Sequence, residues 1–193
     1  MTSTELWLVR HGQTAWSADG RHTGRSDVPL TAEGEEQARA VRARLPAEAF
    51  DLVLASPLQR ARRTAELAGL PGVEIEPAAQ EWDYGAYEGL TRAQIQGQVP
   101  GWSPWTHPKM PGGETLDQVA ARADAVVARV RAAEGREGHL RACLVAHAHF
   151  LRVLATRWVG VDVGLARHLL LDPGGVGLLG DDRGTCAIAR WNA

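Results

Sequence analysis

The chain reads as a single α/β domain of three layers, α/β/α, built on a mostly parallel sheet. Three observations predict this. Strand-like and helix-like segments alternate along the sequence, as β-α units do. The run Ala142 to Ala146 is apolar throughout, the pattern of a central strand covered on both faces. Finally, 193 residues with 45% hydrophobic and 23% charged content suit one globular core. Residues 1–193 are therefore taken as one domain.

The elements follow in order. Leu6 to Val9 is the first strand, with Arg10-His11-Gly12 emerging at its carboxyl end. A polar loop runs from Gly12 to Leu30. Thr31 is an N-cap followed by Glu33, Glu35 and Glu36 near the positive end of a helix dipole. That helix carries Ala38, Val41 and Leu45 on one face and stops at Pro46. Asp51 to Ala55 is the second strand. Ser56-Pro57 then reads as an N-cap with proline at the first helical position, opening a helix through Arg60 to about Ala68. Val73 to Ile75 is a short third strand, and Trp82 to Gly89 a loop. Thr91 caps a short helix to about Gln96.

Gln98 to Glu114 is rich in Pro, Gly and Trp, and no regular element fits it. Trp102, Trp105 and Met110 argue for a packed excursion rather than a flexible linker. It reads either as a pocket lid or as a structural loop burying its tryptophans, and the two are compatible. Thr115 to Ala133 is an amphipathic helix, and Ala148 to Val159 another. Leu169 to Leu171, Val176 to Leu179 and Cys186 to Trp191 are closing strands. Turns at Asp172 to Gly175 and Asp181 to Gly184 separate them.

Composition excludes several function classes. A net charge of −2 leaves no nucleic-acid footprint. Cys143 and Cys186 lie in apolar strands without metal-ligand spacing, so they read as small buried hydrophobes and imply no disulfide framework. There is no long apolar signal-peptide core and no segment of membrane-spanning length, so no membrane partner is expected and a cytoplasmic location is. Of the 21 basic residues, only Lys109 is a lysine. Arginine is the better bidentate phosphate ligand, so a local phosphate pocket remains open.

Four polar clusters follow the predicted strands. Arg10 and His11 follow the first, Ser56 and Arg60 the second, Glu81 the third, and His147 the strand Ala142 to Ala146. If those strands are parallel, all four clusters share the edge where open α/β sheets bind ligands. Each has a plain structural reading: a solvated helix arginine, a loop carboxylate, a core histidine. Together they form a set that can bind a phosphoryl group, attack it and protonate the leaving oxygen. His147 and His149 could be taken for metal ligands, but a third ligand is missing. No metal and no cofactor is expected.

These residues resemble the histidine phosphatase superfamily, with its phosphoglycerate mutase-like fold. The resemblance rests on Leu8-Val9-Arg10-His11-Gly12, His22-Thr23-Gly24 and Pro29-Leu30-Thr31. It continues through Ser56-Pro57-Leu58-Gln59-Arg60-Ala61, Glu81 to Gly89, Pro111 to Thr115 and Val145-Ala146-His147. It implies His11 as the nucleophile that becomes phosphohistidine. It implies Arg10, Arg60 and His147 as phosphoryl ligands, and Glu81 as general acid and then base. Thr23 and Gly24 would contact the phosphate from the first loop, with Gln13 a nearby polar contact. Two positions depart from the mutase pattern. Ser17 stands where those enzymes have asparagine, and Ala148 where they have glycine. A backbone N–H at Ala148 can still face phosphate.

The mutases also carry a longer, arginine-bearing insertion after the catalytic glutamate. Here the excursion holds Lys109 and no arginine. The Tyr84 to Gly89 stretch is more similar to the broad acid phosphatase and sedoheptulose-bisphosphatase-like branches. The expectation is a phosphatase acting on a small phosphorylated metabolite, a sugar phosphate above all. A phosphoglycerate mutase is the alternative, and a non-catalytic phosphate-binding module a further one. Within the excursion, His107 and Lys109 are candidates to meet a second anionic group of the substrate, with His22 and Arg25 as the other candidates.

Overall fold

The computed structural model describes residues 3–107, 110–133 and 139–193. In chain order the strands are β1 (Ser3–Arg10), β2 (Leu52–Ala55), β3 (Glu74–Ile75), β4 (His139–Ala146), β5 (Val176–Asp182) and β6 (Thr185–Arg190). The helices are α1 (Ala15–Ala18), α2 (Ala32–Val41), α3 (Gln59–Leu67), α4 (Arg92–Gln98), α5 (Leu116–Ala132) and α6 (Ala148–Val159).

Local chemistry explains several starts and stops. Thr31, Thr91 and Thr115 each accept a first-turn N–H at the N-termini of α2, α4 and α5. Gln94 and Gln118 complete capping boxes by reaching back to the cap N–H. The β5–β6 hairpin turns through Arg183 and Gly184 with φ of 55° and 90°. Two positive φ values in succession match the twist of paired strands.

The strands form one sheet in the order β3-β2-β4-β1-β5-β6. Strands β3, β2, β4 and β1 are parallel, and β5 and β6 run antiparallel. Side-chain alternation then makes the three layers. Leu6, Leu8, Leu54 and Leu144 face α5 and α6, whereas Trp7, Val9, Val53 and Val145 face α2 and α3. Each fully buried leucine or valine contributes roughly 1.5–3 kcal/mol. Strand β4 is covered on both faces, as its apolar run predicts. The carboxyl ends of the four parallel strands open on one edge. Among the described residues, no helix is long and apolar enough to cross a membrane.

Two expectations are corrected. Leu169–Leu171 is not a strand. Its carbonyls go to side chains instead of a neighbouring strand: Leu170 O accepts from Trp191 Nε1 and Leu171 O from the Arg10 guanidinium. Ser56 is not a helix cap. α3 starts two residues beyond the expected proline, with Leu58 at its N-cap. The Ser56 hydroxyl instead lies 2.7 Å from His147 Nε2.

Candidate active site

A cavity of about 190 Å3 opens at the carboxyl edge of the parallel strands. Arg10, His11, Glu81 and Ala148 line its floor, and Ser17, Thr23, His22, Arg21, Tyr84 and His149 its walls.

His11 leaves β1 with its backbone N–H bonded to Ala146 O on β4, at 3.0 Å. Its ring Nδ1 lies 2.7 Å from the carbonyl of Gly12. A carbonyl can only accept, so Nδ1 carries the proton and Nε2 keeps its lone pair. Burial, then the charges of Arg60 and Arg10, hold His11 well below the ordinary imidazole range, in its neutral form. Gly12 is needed for space: a Cβ there would meet Gly34 O on α2 at 2.1 Å. The helix and the strand end could not then approach each other.

Arg10 donates through its Nη1 to Leu171 O at 2.6 Å, and its buried Nε has no partner among the described residues. An unpartnered guanidinium N–H beside a cavity is a donor able to bind an anion. Arg60 is fully buried. It donates to Ser26 O, Thr23 O and Gly24 O of the first loop, and from Nε to His147 Nδ1 at 3.2 Å. That last bond makes His147 Nδ1 an acceptor, so the neutral ring carries its proton on Nε2 and donates it to Ser56 Oγ. The His11 and His147 rings meet edge to face, centroids 5.0 Å apart. Burial, then Arg60, keeps His147 neutral as well.

Glu81 caps α6 from a distance. His147 occupies the N-cap position, but its ring is engaged elsewhere and makes no side-chain cap. The carboxylate of Glu81 supplies one instead. Its Oε1 accepts from Trp82 N and Phe150 N, both at 2.9 Å, and its Oε2 from His149 N at 3.0 Å. Burial raises its pKa, and the three N–H donors oppose that without cancelling it. Oε1 is doubly occupied, so Oε2 is the oxygen with capacity to carry a proton. With the second and third amides capped, the Ala148 N–H is a first-turn donor at the cavity floor without a partner among the described residues. Arg122 secures the approach to Glu81 by donating to Ala78 O, Gln80 O and Glu81 O while paired to Glu114.

The remaining sequence candidates divide. Ser17 and Thr23 line the cavity. Ser17 also completes the capping box of α1 with Thr14. Gly24 stands behind the wall: its N–H donates to Glu88 Oε1 at 2.8 Å, and a Cβ would meet Trp82 O at 2.4 Å. Gln13 turns away from the cavity, its side chain accepting from Thr31 Oγ1 at 2.9 Å. None of the described residues of the excursion 98–114 lines the cavity. Trp102 packs on His22 and Tyr87, and Trp105 on His149 and Trp82 with the Arg152 guanidinium 4.6 Å from its ring centroid. The excursion therefore buttresses the wall from behind. His107 hydrogen-bonds within the excursion, to Ser103 and Thr106. Lys109 lies outside the described residues. Arg25 pairs with Asp83 at 2.6 Å beside a separate cavity.

Sequence reasoning did not reach Tyr84, whose buried hydroxyl bonds to His149 Nδ1. Nor did it reach the Arg152–Trp105 contact. The spacing of His149 two residues after His147 signalled a second ring near the site, but suggested a metal ligand. His147 is the N-cap of α6 and its ring meets Ser56, whereas His149 sits in the first turn and its ring meets Tyr84.

Comparison with known proteins gives the family. The family model of the histidine phosphatase superfamily (branch 1) covers residues 6–193. An acid phosphatase of Mycobacterium tuberculosis is 40% identical over 186 residues, which covers 95% of this chain and 90% of that protein. A sedoheptulose 1,7-bisphosphatase of Saccharomyces cerevisiae is 32% identical, covering 81% of this chain and 68% of that protein. Among solved structures, the product of a Mycobacterium tuberculosis open reading frame superposes with a TM-score of 0.90 at 40% identity, covering 98% and 97% of the two chains. The chain belongs to the histidine phosphatase superfamily, branch 1, and is a phosphatase.

Proposed function

We propose that this phosphatase hydrolyses phosphate monoesters of small hydroxylated metabolites, sugar phosphates foremost, through a phosphohistidine at His11. The observation that carries the reading is the pairing of His11 and Arg10. His11 Nε2 keeps its lone pair because the ring proton on Nδ1 goes to Gly12 O, and the ring shares a cavity with Arg10, whose Nε has no partner among the described residues. In the first step His11 Nε2 forms a bond to phosphorus, and the ester P–O bond breaks. The leaving oxygen takes a proton from Glu81 Oε2. In the second step Glu81 removes a proton from water, the water oxygen bonds phosphorus, and the N–P bond breaks to release inorganic phosphate. Arg10 and the Ala148 N–H bind the phosphoryl oxygens. The family resemblance adds Arg60 and His147 to that ligand set; neither lines the cavity, and Arg60 also holds the first loop in place.

The substrate class rests on the walls. His22 donates its ring Nδ1–H to Leu90 O at 3.0 Å, which leaves a neutral acceptor nitrogen beside the cavity. Tyr84 with His149, and Ser17, add neutral hydrogen-bonding groups. Such a wall suits hydroxyl groups. Named relatives that act on a sugar bisphosphate or on glucosyl-3-phosphoglycerate agree with this choice.

A brief quench with phosphorus-labelled substrate tests the covalent step. Acid-labile, base-stable label is expected on the wild type. His11→Ala is expected to trap none and to lose turnover while keeping its circular dichroism. Near-normal turnover in that variant sinks the mechanism.

A further inference from the structure

We infer that Asn192, outside the cavity, is a positioning residue for the Arg10 guanidinium and acts through a single peptide plane. The inference rests on the reading of Arg10 as a phosphate ligand.

The peptide that joins Leu171 to Asp172 has two polar groups on opposite edges. Its carbonyl, Leu171 O, accepts from Arg10 Nη1 at 2.6 Å. Its N–H, on Asp172, donates to Asn192 Oδ1 at 2.8 Å. A planar trans peptide couples the two directions, so whatever fixes the N–H also aims the carbonyl. The Asn192 Nδ2 returns a bond to Asp172 Oδ2 at 2.8 Å, closing a two-point clasp. Trp191 Nε1 donates to Leu170 O and so holds the preceding peptide. Asn192 thus holds the N–H edge of the Leu171–Asp172 plane, and Trp191 holds the peptide before it.

Asn192 adopts φ of +55°, a conformation that non-glycine residues seldom take. Asparagine is among the few that tolerate it. The adjoining residue Ala193 pairs with Val176 in both directions, at 3.0 and 3.3 Å, which seats the clasp beside β5. The clasped segment also fixes the backbone at the nucleophile. Gly174 N donates to Arg10 O and His11 O, and Arg10 N donates to Gly175 O. The guanidinium of Arg10 thus takes its orientation from a carbonyl that Asn192 holds, and its Nε is left for the substrate anion.

Asn192→Gly tests this, because glycine accepts the backbone conformation and removes only the clasp. The readouts are the inhibition constant of orthovanadate, kcat and KM, in the wild-type and Arg10→Ala backgrounds. In the wild type, Asn192→Gly is expected to weaken vanadate about five-fold, the weight of one net hydrogen bond, with the urea midpoint nearly unchanged. In the Arg10→Ala background it is expected to add nothing. Unchanged vanadate affinity in Asn192→Gly overturns the inference, as does an equal loss in both backgrounds. If Arg10→Ala itself binds vanadate normally, the reading of Arg10 fails, and the inference with it. Should Asn192→Gly not fold, Trp191→Phe removes only the bond to Leu170 O. It should move vanadate affinity in the same direction, and no movement would overturn the inference.

Discussion

The floor of the cavity and its outer wall are built in opposite ways. On the floor, His11 and Glu81 are buried, as are Arg60 and His147, which do not line the cavity, and each of the four is tied to backbone groups or to another site residue. On the outer wall, Arg21 is 45% exposed and pairs with Asp19 at 3.4 Å. The floor is thus preorganised by the parallel strands and α6, where moving one group disturbs several others. The wall hangs on a loop held largely by Arg60 and by the packed tryptophans behind it. On the proposed reading, chemistry belongs to the rigid part, and substrate selection to the part that can vary without harming it.

Substitution at each end can break that contrast. The largest expected effect is Glu81→Gln, a loss of about 10²–10⁴-fold in kcat on sugar phosphates. The loss should be much smaller on an aryl phosphate, whose leaving group needs little protonation. Equal losses on both would reduce Glu81 to the cap of α6. Next is Arg60→Ala, which strands the carbonyls of Thr23, Gly24 and Ser26. A stability loss of about 3 kcal/mol or more is expected in urea unfolding, along with loss of activity. Lysine should not restore it, because a single ammonium cannot reproduce the fork. A variant of wild-type stability would show that the first loop holds itself.

A smaller effect concerns pH. His11, His147 and His149 are kept neutral in the fold by burial and nearby arginines, well below their ordinary 6.5. The unfolded chain takes up protons as pH falls through 6.5, and the folded chain does not. Stability should therefore drop as pH falls below 6.5, at a slope approaching roughly 1.4 kcal/mol per pH unit for each histidine. Glu81, raised from 4.5 by burial, works in the opposite direction above pH 4.5, but it is one group against these three and His22, whose pKa burial also lowers. Urea midpoints at pH 7.5 and 5.5 measure this, and equal midpoints would count against buried neutral rings. The smallest effect is at the wall. Arg21→Ala should raise KM a few-fold for a substrate with a second anionic group and leave an aryl phosphate unchanged. A matching change on both would place Arg21 with the floor.

Much of this was legible in the chain because strand, turn and cap signals are local. The capping threonines, the apolar β4 and the strand-end positions of Arg10, Arg60, Glu81 and His147 all follow from short-range patterns. The misses share one cause. Ser56 looked like a helix cap, but its hydroxyl serves a histidine 91 residues away. Leu169–Leu171 looked like a strand, but its carbonyls serve Arg10 and Trp191. In both places a long-range hydrogen bond forms that no local pattern announces; at Ser56 the short bond to His147 stands beside a longer local one from Leu58 N at 3.4 Å.

The sequence by itself determined the alternation of elements, and with parallel pairing it brought the polar strand ends to one edge. Side-chain periodicity and cap chemistry depend only on neighbours along the chain. The tertiary structure decided which nitrogen of each histidine is free, how Glu81 comes to cap α6, and that the excursion supports the wall from behind. Proton positions and buried charges depend on partners brought together across the sheet, and no pattern within one segment records them.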